Sequence, residues 1–585
     1  MSDLLSANTS SLLSGRQASF SYARVVEQRQ PSSLAKEIMR YQAMMETERV
    51  YQDAVWDVID DRVSNRRARW DIGTRANGMT ASPMGTNIYD NAAGRAINDF
   101  CGGWQAQSCN AYVGWWIANF DGKQFKNNSR VRQWLDNVQE VVSGLMAEGN
   151  FYEEDLTAKK DGFTQGLSTM IGPEWDEDGD RLWCQVRHPR EIFIQADARN
   201  RIIRWHRKYV VRGADLLLEY PDKLTQDVKR VIDDQPFRRW VCVESIHRRE
   251  DRDRTSSLAR DLPWARIVVL TDPLTVLHEG GLRSIDLPDT WRWDHDVSLA
   301  YPTSPVIDAL EDIKGNNAAM KSKLMADQIS VRPPLLASKA MKGKLHIRPD
   351  GTTFLENPTD KVEVLGYPSN FRVAMQDIAD MRNGIREQFH ADLFEVQTKV
   401  TNKITAMQAS LIQGEKAAQL IPFTARENAD LLIPKIHKYF RRAAERGKIE
   451  PPPPELQQAG ERPLVKIGIV GPIETAARRH LSTDGYRAFM GALEEMIQVA
   501  PAVVQQIGLD FSPEDLRKWL LDGTNTPDRI FKSDEQIARE TAQRMAEAAA
   551  AKKQQALESL AQSYNQAKDA PQAGSPAKQM MGGGQ

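Results

Sequence analysis

The stretch Ile329–Met341, ISVRPPLLASKAM, joins two patterns that ordinarily exclude each other. Ahead of it, Val306, Leu310, Ile313, Met320 and Leu324 recur at helical spacing, and Asn317 breaks their stripe. Pro333 and Pro334 then stop the helix, because proline has no N–H to give and pushes the preceding residue out of the helical region. Beyond them Leu335 and Leu336 stay apolar where a surface loop would turn polar. A strand-like unit follows, KLHIRPDGTTFLENPTDKVEVL, with Pro349–Asp350–Gly351 as its turn. Helical spacing resumes at Phe371, with Ala374, Ile378, Met381, Ile385 and Phe389 on one face. A small β unit therefore sits between two helices of matching character.

Around this centre the chain has 585 residues, enough for several domains, and 41% hydrophobic residues, enough for a real core. Lys and Arg total 77 against 79 Asp and Glu, a net charge of -2, which argues against coating nucleic acid by bulk charge. Cys101, Cys109, Cys184 and Cys242 show neither metal-ligand spacing nor a dense disulfide framework, so a reducing compartment is expected. The start, MSDLLSANTSSLLSGRQASF, lacks the charged-then-apolar pattern of a signal peptide. With no run of 18 apolar residues, no membrane-spanning helix is expected.

Residues 1–31 are Ser-rich and expected to be mobile. Ser32–Trp70 has helical spacing through Leu34, Ile38, Tyr41, Met45, Val50, Ala54, Val58 and Ile59. A second helix is expected over Tyr89–Ser108, capped by Asn87 or Asp90 and ended by Gly102–Gly103, and a third over Arg130–Gly149. Leu182–Leu270 holds the strand-like runs LWCQV, EIFIQAD, IIRWHRKYVV, WVCVESIHR and ARIVVL, interrupted by one helix near Gly213–Asp234. The fold class is therefore α+β, with a strand-rich insertion in a mainly helical protein. Ser304–Arg332 predicts a helix of roughly 40 Å at ~1.5 Å per residue. Residues 392–402, DLFEVQTKVTN, form a loop, and a long helix runs from Lys403 to Arg446 with bends at Pro422 and Pro434. PPPPE, from Pro451 to Glu455, is a stiff spacer before helices at Ile473–Ile507 and Ser512–Leu521. Ser533–Ala570 is rich in Ala, Gln and Glu, and PQAGSPAKQMMGGGQ is expected to be disordered.

Chemical motifs are scarce. The sequence has no GxxxxGK[ST], HExxH, GxSxG or GxGxxG. Glu174, Asp176, Asp178 and Gly179 imitate a calcium loop that ends in Gln185, but strand patterns flank it, and a hairpin turn at Asp178–Gly179 accounts for it. His188, His206, His247 and His278 fall in or near the strand-rich region without spacing that demands a metal. HRREDRDR, from His247 to Arg254, suits a solvated loop, and NRRARW, from Asn65 to Trp70, a helix end with snorkelling cations. No cofactor or metal is expected.

The order of the motifs resembles the head-to-tail connector, or portal, family of short-tailed bacteriophages. YDNAAGRAINDFCGGWQ is similar to that family's early Tyr-Asp helix, SPVIDALEDIKGNN to its Ser-Pro segment, and VRPPLLAS to its Pro-Pro-Leu-Leu. TNKITAMQASLIQGEKAAQLIP stands where the family has a long helix, and RGKIEPPPPEL resembles its polyproline element. The likeness runs in order from about Ser33 to Met545. SLAYPTSP lacks the Gly-Arg that usually precedes the Ser-Pro, and TNKITAMQ carries Lys403 and Met407 where Ala and Glu-Val are typical.

The resemblance implies a ring of about a dozen subunits around a DNA channel at one capsid vertex. It implies a wing over residues 32–303, a first stem helix over 304–332, a clip over 333–370 and a second stem helix over 371–391. A tunnel loop over 392–402, with a plain helix–helix connection on the outer surface as the alternative, a long wing helix over 403–450, a helical wing or crown over 451–532 and a crown-like tail over 533–585 complete it. Implied partners are double-stranded DNA, the terminase large subunit, tail adaptor proteins, and major capsid and scaffolding proteins, with no membrane. The implied place is the head–tail junction of the virion, after synthesis in the host cytoplasm, and the implied role is not enzymatic. Lys314, Lys321, Lys323, Arg382, Arg386 and Lys399 become channel cations, interspersed with Glu311, Asp312, Asp377 and Asp380 so that DNA is not gripped. Lys339, Lys342 and Lys344 become a docking cluster for the terminase or tail, with ordinary solvated lysines as the alternative. Pro333, Pro334, Leu335 and Leu336 become a subunit contact, since a small clip cannot bury the leucines alone, with an intrachain core as the alternative. Two other readings are a helical scaffolding protein and a metal-dependent nuclease using Asp176, Asp178 and Asp180.

Overall fold

The computed structural model describes residues 33–63, 87–120, 129–250, most of 252–332, 334–337, 339, 363–364, 371–391, 419–457 and 465–475. It also describes positions 542–543, 546, 553–554 and 558–559. The clip turn, the loop over 392–402, NRRARW and nearly all of the chain after residue 475 lie outside these residues.

The helices are α1 (Ser33–Arg62), α2 (Ala92–Ser108), α3 (Ser129–Glu148), α4 (Phe151–Gln165), α5 (Gly213–Glu219), α6 (Gln226–Asp234), α7 (Leu310–Val331), α8 (Phe371–Gln388) and α9 (Ile433–Glu445). The strands are β1 (Trp116–Phe120), β2 (Leu167–Trp175), β3 (Leu182–Arg187), β4 (Ile192–Ala196), β5 (Ile202–Arg212), β6 (Arg239–Arg248), β7 (Trp264–Leu270), β8 (Thr275–Leu282), β9 (Asp289–Arg292), β10 (Leu335–Leu336), β11 (Glu363–Val364) and β12 (Val465–Ile469). The chain is thus mixed helix and strand.

Two compact units divide it. The smaller joins residues 118–137, 451–466 and 482–585. In it Phe120 stacks on Trp134 at 6.1 Å, and the polyproline run passes into a single helical turn, Pro454–Gln457.

The larger unit joins residues 1–117, 138–450 and 467–481. Its five-stranded sheet is antiparallel in the order β4-β5-β6-β7-β8. Alternating side chains give the sheet two apolar faces. Cys242, Val268, Leu270 and Leu277 pack with Leu216, Val228 and Ile232 of α5 and α6, while Val243, Ala265, Ile267 and Val269 pack with Ala35 and Ile38 of α1. The five expected runs fall on β3 to β7, but the strand region extends further, from Leu167 to Arg292. The single helix expected over Gly213–Asp234 is two, α5 and α6, parted by Pro221, which cannot continue an i→i−4 ladder. His247 and Arg248 are not loop but belong to β6, and Arg249, just past the strand, donates to the carbonyls of Ala259 and Gly280.

The buried face of α1 also departs from the apolar spacing. Val50 and Ala54 are exposed, and Arg49 and Trp56 are buried in their stead. Arg49 is satisfied there by the carbonyls of Ile192 at 2.8 Å and Arg190 at 3.0 Å, and its guanidinium lies 3.5 Å from the Phe193 ring centre. α2 begins at Ala92, where Asp90 accepts from the Ala92 N–H, and it runs through Gly102 and Gly103 instead of ending there.

The three-stranded sheet, ordered β3-β2-β9, leads into an aromatic core. Phe100 and Trp104 of α2, Phe163 of α4, Trp291, Trp293, Phe389 and Phe423 meet with ring centres 4.6 to 5.8 Å apart along a continuous chain. α4 was not expected from the sequence. Gly162 lets it approach: a Cβ there would lie 2.2 Å from the Trp291 ring. Helical residues also run over 419–427, pass through a π-helical turn, Asn428–Leu432, and continue as α9. The wider turn ends one residue short of Pro434, whose missing N–H forbids an ordinary ladder, so the expected irregularity near that proline takes the form of a π turn.

Candidate functional site

The helix expected over Ser304–Arg332 comes in two pieces, a turn at Pro305–Asp308 and α7, with Ala309 between them. Ser304 caps the first: its Oγ accepts from the Ile307 N–H at 3.1 Å and donates to the Thr164 carbonyl at 3.0 Å. The helix stops at Val331, and Arg332 sits at φ -131°, ψ 76°, outside the helical region that the following proline disfavours. At 22 residues α7 spans roughly 33 Å.

α8 returns antiparallel to α7. Gln388, at its far end, donates to Asp312 near the start of α7 at 2.7 Å. Ile313, Ile378, Ile385 and Phe389 are buried. Met381, expected on the same face, is 40% exposed, because the buried stripe of α8 is narrower than its apolar one.

Buried polar groups fix this end of the pair. Asn317 Oδ1 accepts from the N–H groups of Tyr89 and Asp90, both at 3.0 Å, while its Nδ2 donates to the carbonyls of Arg62 and Ile313. The Asp90 carboxylate accepts from Asn316 Nδ2 and Arg382 Nε, each at 2.7 Å. Burial works against ionised Asp90, but the bonds from Arg382, Asn316 and Ala92 and the Arg382 charge outweigh it, holding its pKa below the usual value. One loop residue thus bolts together α7, α8 and the start of α2. Sequence reasoning did not single out Asp90, Asn316 or Asn317 for this, although Asn317's interruption of the apolar stripe was the trace.

The far end of the pair is different. Leu324 is 41% exposed, Met325 51%, Val331 80%, Leu336 54% and Met375 49%. Leu335 is half-buried and pairs with Val364, and Leu336 with Glu363, in a two-stranded antiparallel ladder. Apolar side chains therefore stand in solvent over the half of the pair that the polar bolt does not reach.

The charges are distributed as follows. Lys314 pairs with Glu311 at 2.7 Å, Lys321 lies 5.3 Å from the Tyr89 ring centre, Lys323 is half-buried, and Arg382 is committed to Asp90. Arg386 is half-buried and Lys339 exposed. Pro334 is exposed; Pro333, Lys342, Lys344 and Lys399 lie outside the described residues.

Among the described residues no group of His, Cys, Asp and Glu is placed to hold a metal ion. The acidic hairpin joins β2 to β3, and Asp176 spends its carboxylate on its own turn, accepting from the N–H groups of Asp180 and Arg181. His206 lies between Gln42 at 3.0 Å and Ser245 at 2.8 Å, and Ser245 is 3.1 Å from His247. Burial, with Arg204 and His247 adding to it, pushes His206 down to about 3, so it is neutral packing between α1 and the sheet.

A model of the family described as "Bacteriophage head to tail connecting protein" matches residues 35–531. The chain belongs to that family. Curated connector relatives agree along its length. It is 25% identical over 476 residues to a "Probable portal protein" of Bordetella phage BPP-1, covering 80% of this chain and 84% of that one. It is 20% identical over 491 residues to the "Portal protein" of Salmonella phage epsilon15, covering 81% and 85%. Among solved structures, a chain of "Neck of native GTA particle computed with C12 symmetry" matches 71% of this chain and 90% of its own at 11% identity, with a TM-score of 0.31, too loose to carry an argument. None of the described helices is long and apolar enough to cross a membrane.

Proposed function

We propose that copies of this connector close into a ring around a DNA channel at one capsid vertex. In this reading α7 descends one wall of the channel as a stem helix, residues 333–370 form the clip at its outer end, and α8 climbs back. Residues 392–402 project into the channel, the sheet-bearing region forms the wing, and residues 451–585 extend the wing and crown. The ring serves shell assembly, genome packaging and ejection, and holds the tail; the energy of packaging comes from a partner ATPase, the terminase.

The observation that carries the reading is the asymmetry of the helix pair. One end is bolted by Asp90 and Asn317. The other presents Leu324, Met325, Val331, Leu336 and Met375 to solvent, an apolar strip of the kind that a neighbouring subunit covers. Exposure of Leu336 supports the intersubunit role over an intrachain core. A repeated contact of one surface on another closes into a ring when its rotation closes. Lys314 and Arg382 are already paired, which supports a wall that slides past phosphates without accumulating salt-sensitive grip. Lys339, with Lys342 and Lys344, is offered as the docking cluster for the terminase or tail proteins.

The test is to change Val331→Asp and Leu336→Asp in the full-length chain and measure its mass in solution by sedimentation. A charge placed in a desolvated contact is strongly unfavourable. The double variant should sediment as monomers or open fragments while its circular dichroism matches the parent. Unaltered large assemblies would remove this strip from the subunit contact.

A further inference from the structure

Beside the aromatic core α4 sets Asp155 and Lys159 one turn apart, both with no solvent exposure, and Glu427 reaches them equally buried. Lys159 Nζ donates to Asp155 Oδ2 at 2.8 Å, to Glu427 Oε1, and to Cys109 Sγ at 3.4 Å. Asp155 Oδ2 also accepts from the Cys109 thiol at 2.9 Å and from Gln105 Nε2 at 3.1 Å. The Trp104 ring centre lies 5.4 Å from the ammonium.

One cation serves two carboxylates in a site with no solvent exposure. Asp155 Oδ1 and Glu427 Oε2 have no hydrogen-bond partner among the described residues. Glu474, which accepts from Asn428 Nδ2 at 3.2 Å, adds negative charge next to Glu427, and Tyr152 stands beside Cys109 and Asp155. An uncompensated buried carboxylate is costly, and a proton removes that cost.

We propose that this cluster is a proton-controlled joint: one proton held by Glu427 fastens α4 to the segment bearing it, and losing that proton loosens the chain at the π turn Asn428–Leu432. Burial raises the Glu427 pKa to about 7; Lys159 opposes the rise, and Asp155 and Glu474 add to it. Burial and Asp155 push the Cys109 thiol well up, and Lys159 stays charged because Asp155, Cys109 and Glu427 outweigh its burial. The ordinary glutamate value is 4.5, so the folded chain keeps a proton between there and about 7 that the unfolded chain has lost. The joint's contribution is therefore complete below 4.5 and is lost as pH rises towards about 7.

Cys109 reports on the joint. The full-length wild type, Glu427→Gln and Asp155→Asn are each alkylated in a short pulse between about pH 6 and about pH 8. Labelling of Cys109 is read by peptide mass spectrometry as a ratio to Cys242, itself buried in the sheet and apart from the cluster. The wild-type ratio should rise about tenfold, the factor one pKa unit of linkage carries. Glu427→Gln removes the titrating proton and Asp155→Asn leaves one carboxylate for one ammonium, so both ratios should stay flat and low. A flat wild-type ratio, or the same rise in a folded variant as in the wild type, overturns the proposal. Should circular dichroism show that neither variant folds, the wild-type ratio alone decides.

Discussion

Asn317 shows how much one side chain carries when all its hydrogen-bonding groups are used. It accepts two backbone N–H groups from the loop before α2 and gives its amide to two carbonyls. Asn317→Ala strands those groups in a buried place, and leaving buried polar groups unpaired costs about 1–3 kcal/mol. The expected outcome is a loss of that size in chemical denaturation of the full-length chain, with far-ultraviolet dichroism unchanged. His206 titrates with the opposite sign to Glu427. Its folded pKa lies at about 3, below the ordinary 6.5, so it contributes stability above 6.5 that is lost as pH falls towards about 3. Replacing His206 by Asn should flatten the acid side of the stability profile and leave the side above neutrality unchanged, as read from denaturant midpoints across a pH series.

Among the elements, α4 explains where sequence reasoning stopped. Its buried positions include Asp155, Lys159 and Asp161, so the face that packs inward reads as polar and no apolar stripe announces a helix. Asp155 and Lys159 pair within the helix, but Glu427, which shares Lys159 with Asp155, is 268 residues from it and carries no local signal. The strands β3 to β7 were legible because their apolar residues alternate or run together between turns. The end of α7 was legible because Pro333 and Pro334 act locally. The polar bolt at Asp90 was not, since Arg382 meets it across a separation of 292 residues. Gly162→Ala tests the packing of α4 directly. The added methyl would sit against the Trp291 ring, and overpacking of this kind costs about 1–3 kcal/mol. A lowered melting temperature is expected, accompanied by a changed near-ultraviolet tryptophan signal from the aromatic core. An unshifted transition would mean that the ring moves aside freely.

At the scale of the whole molecule, membership of the head-to-tail connecting family and the exposed apolar end of the helix pair point the same way. Within one chain the five-stranded sheet is packed on one face by α5 and α6 and on the other by α1. The apolar strip at the far end of α7 and α8 is left for something outside the described residues of one chain to cover. The proposed occupant is the next copy, and the proposed consequence is closure. Imaging tests this most directly: the purified full-length protein, without nucleotide or DNA, is spread and viewed by negative-stain electron microscopy. Closed rings with a stain-filled axial hole are predicted; a field of single chains, solid bundles or open filaments would contradict the account.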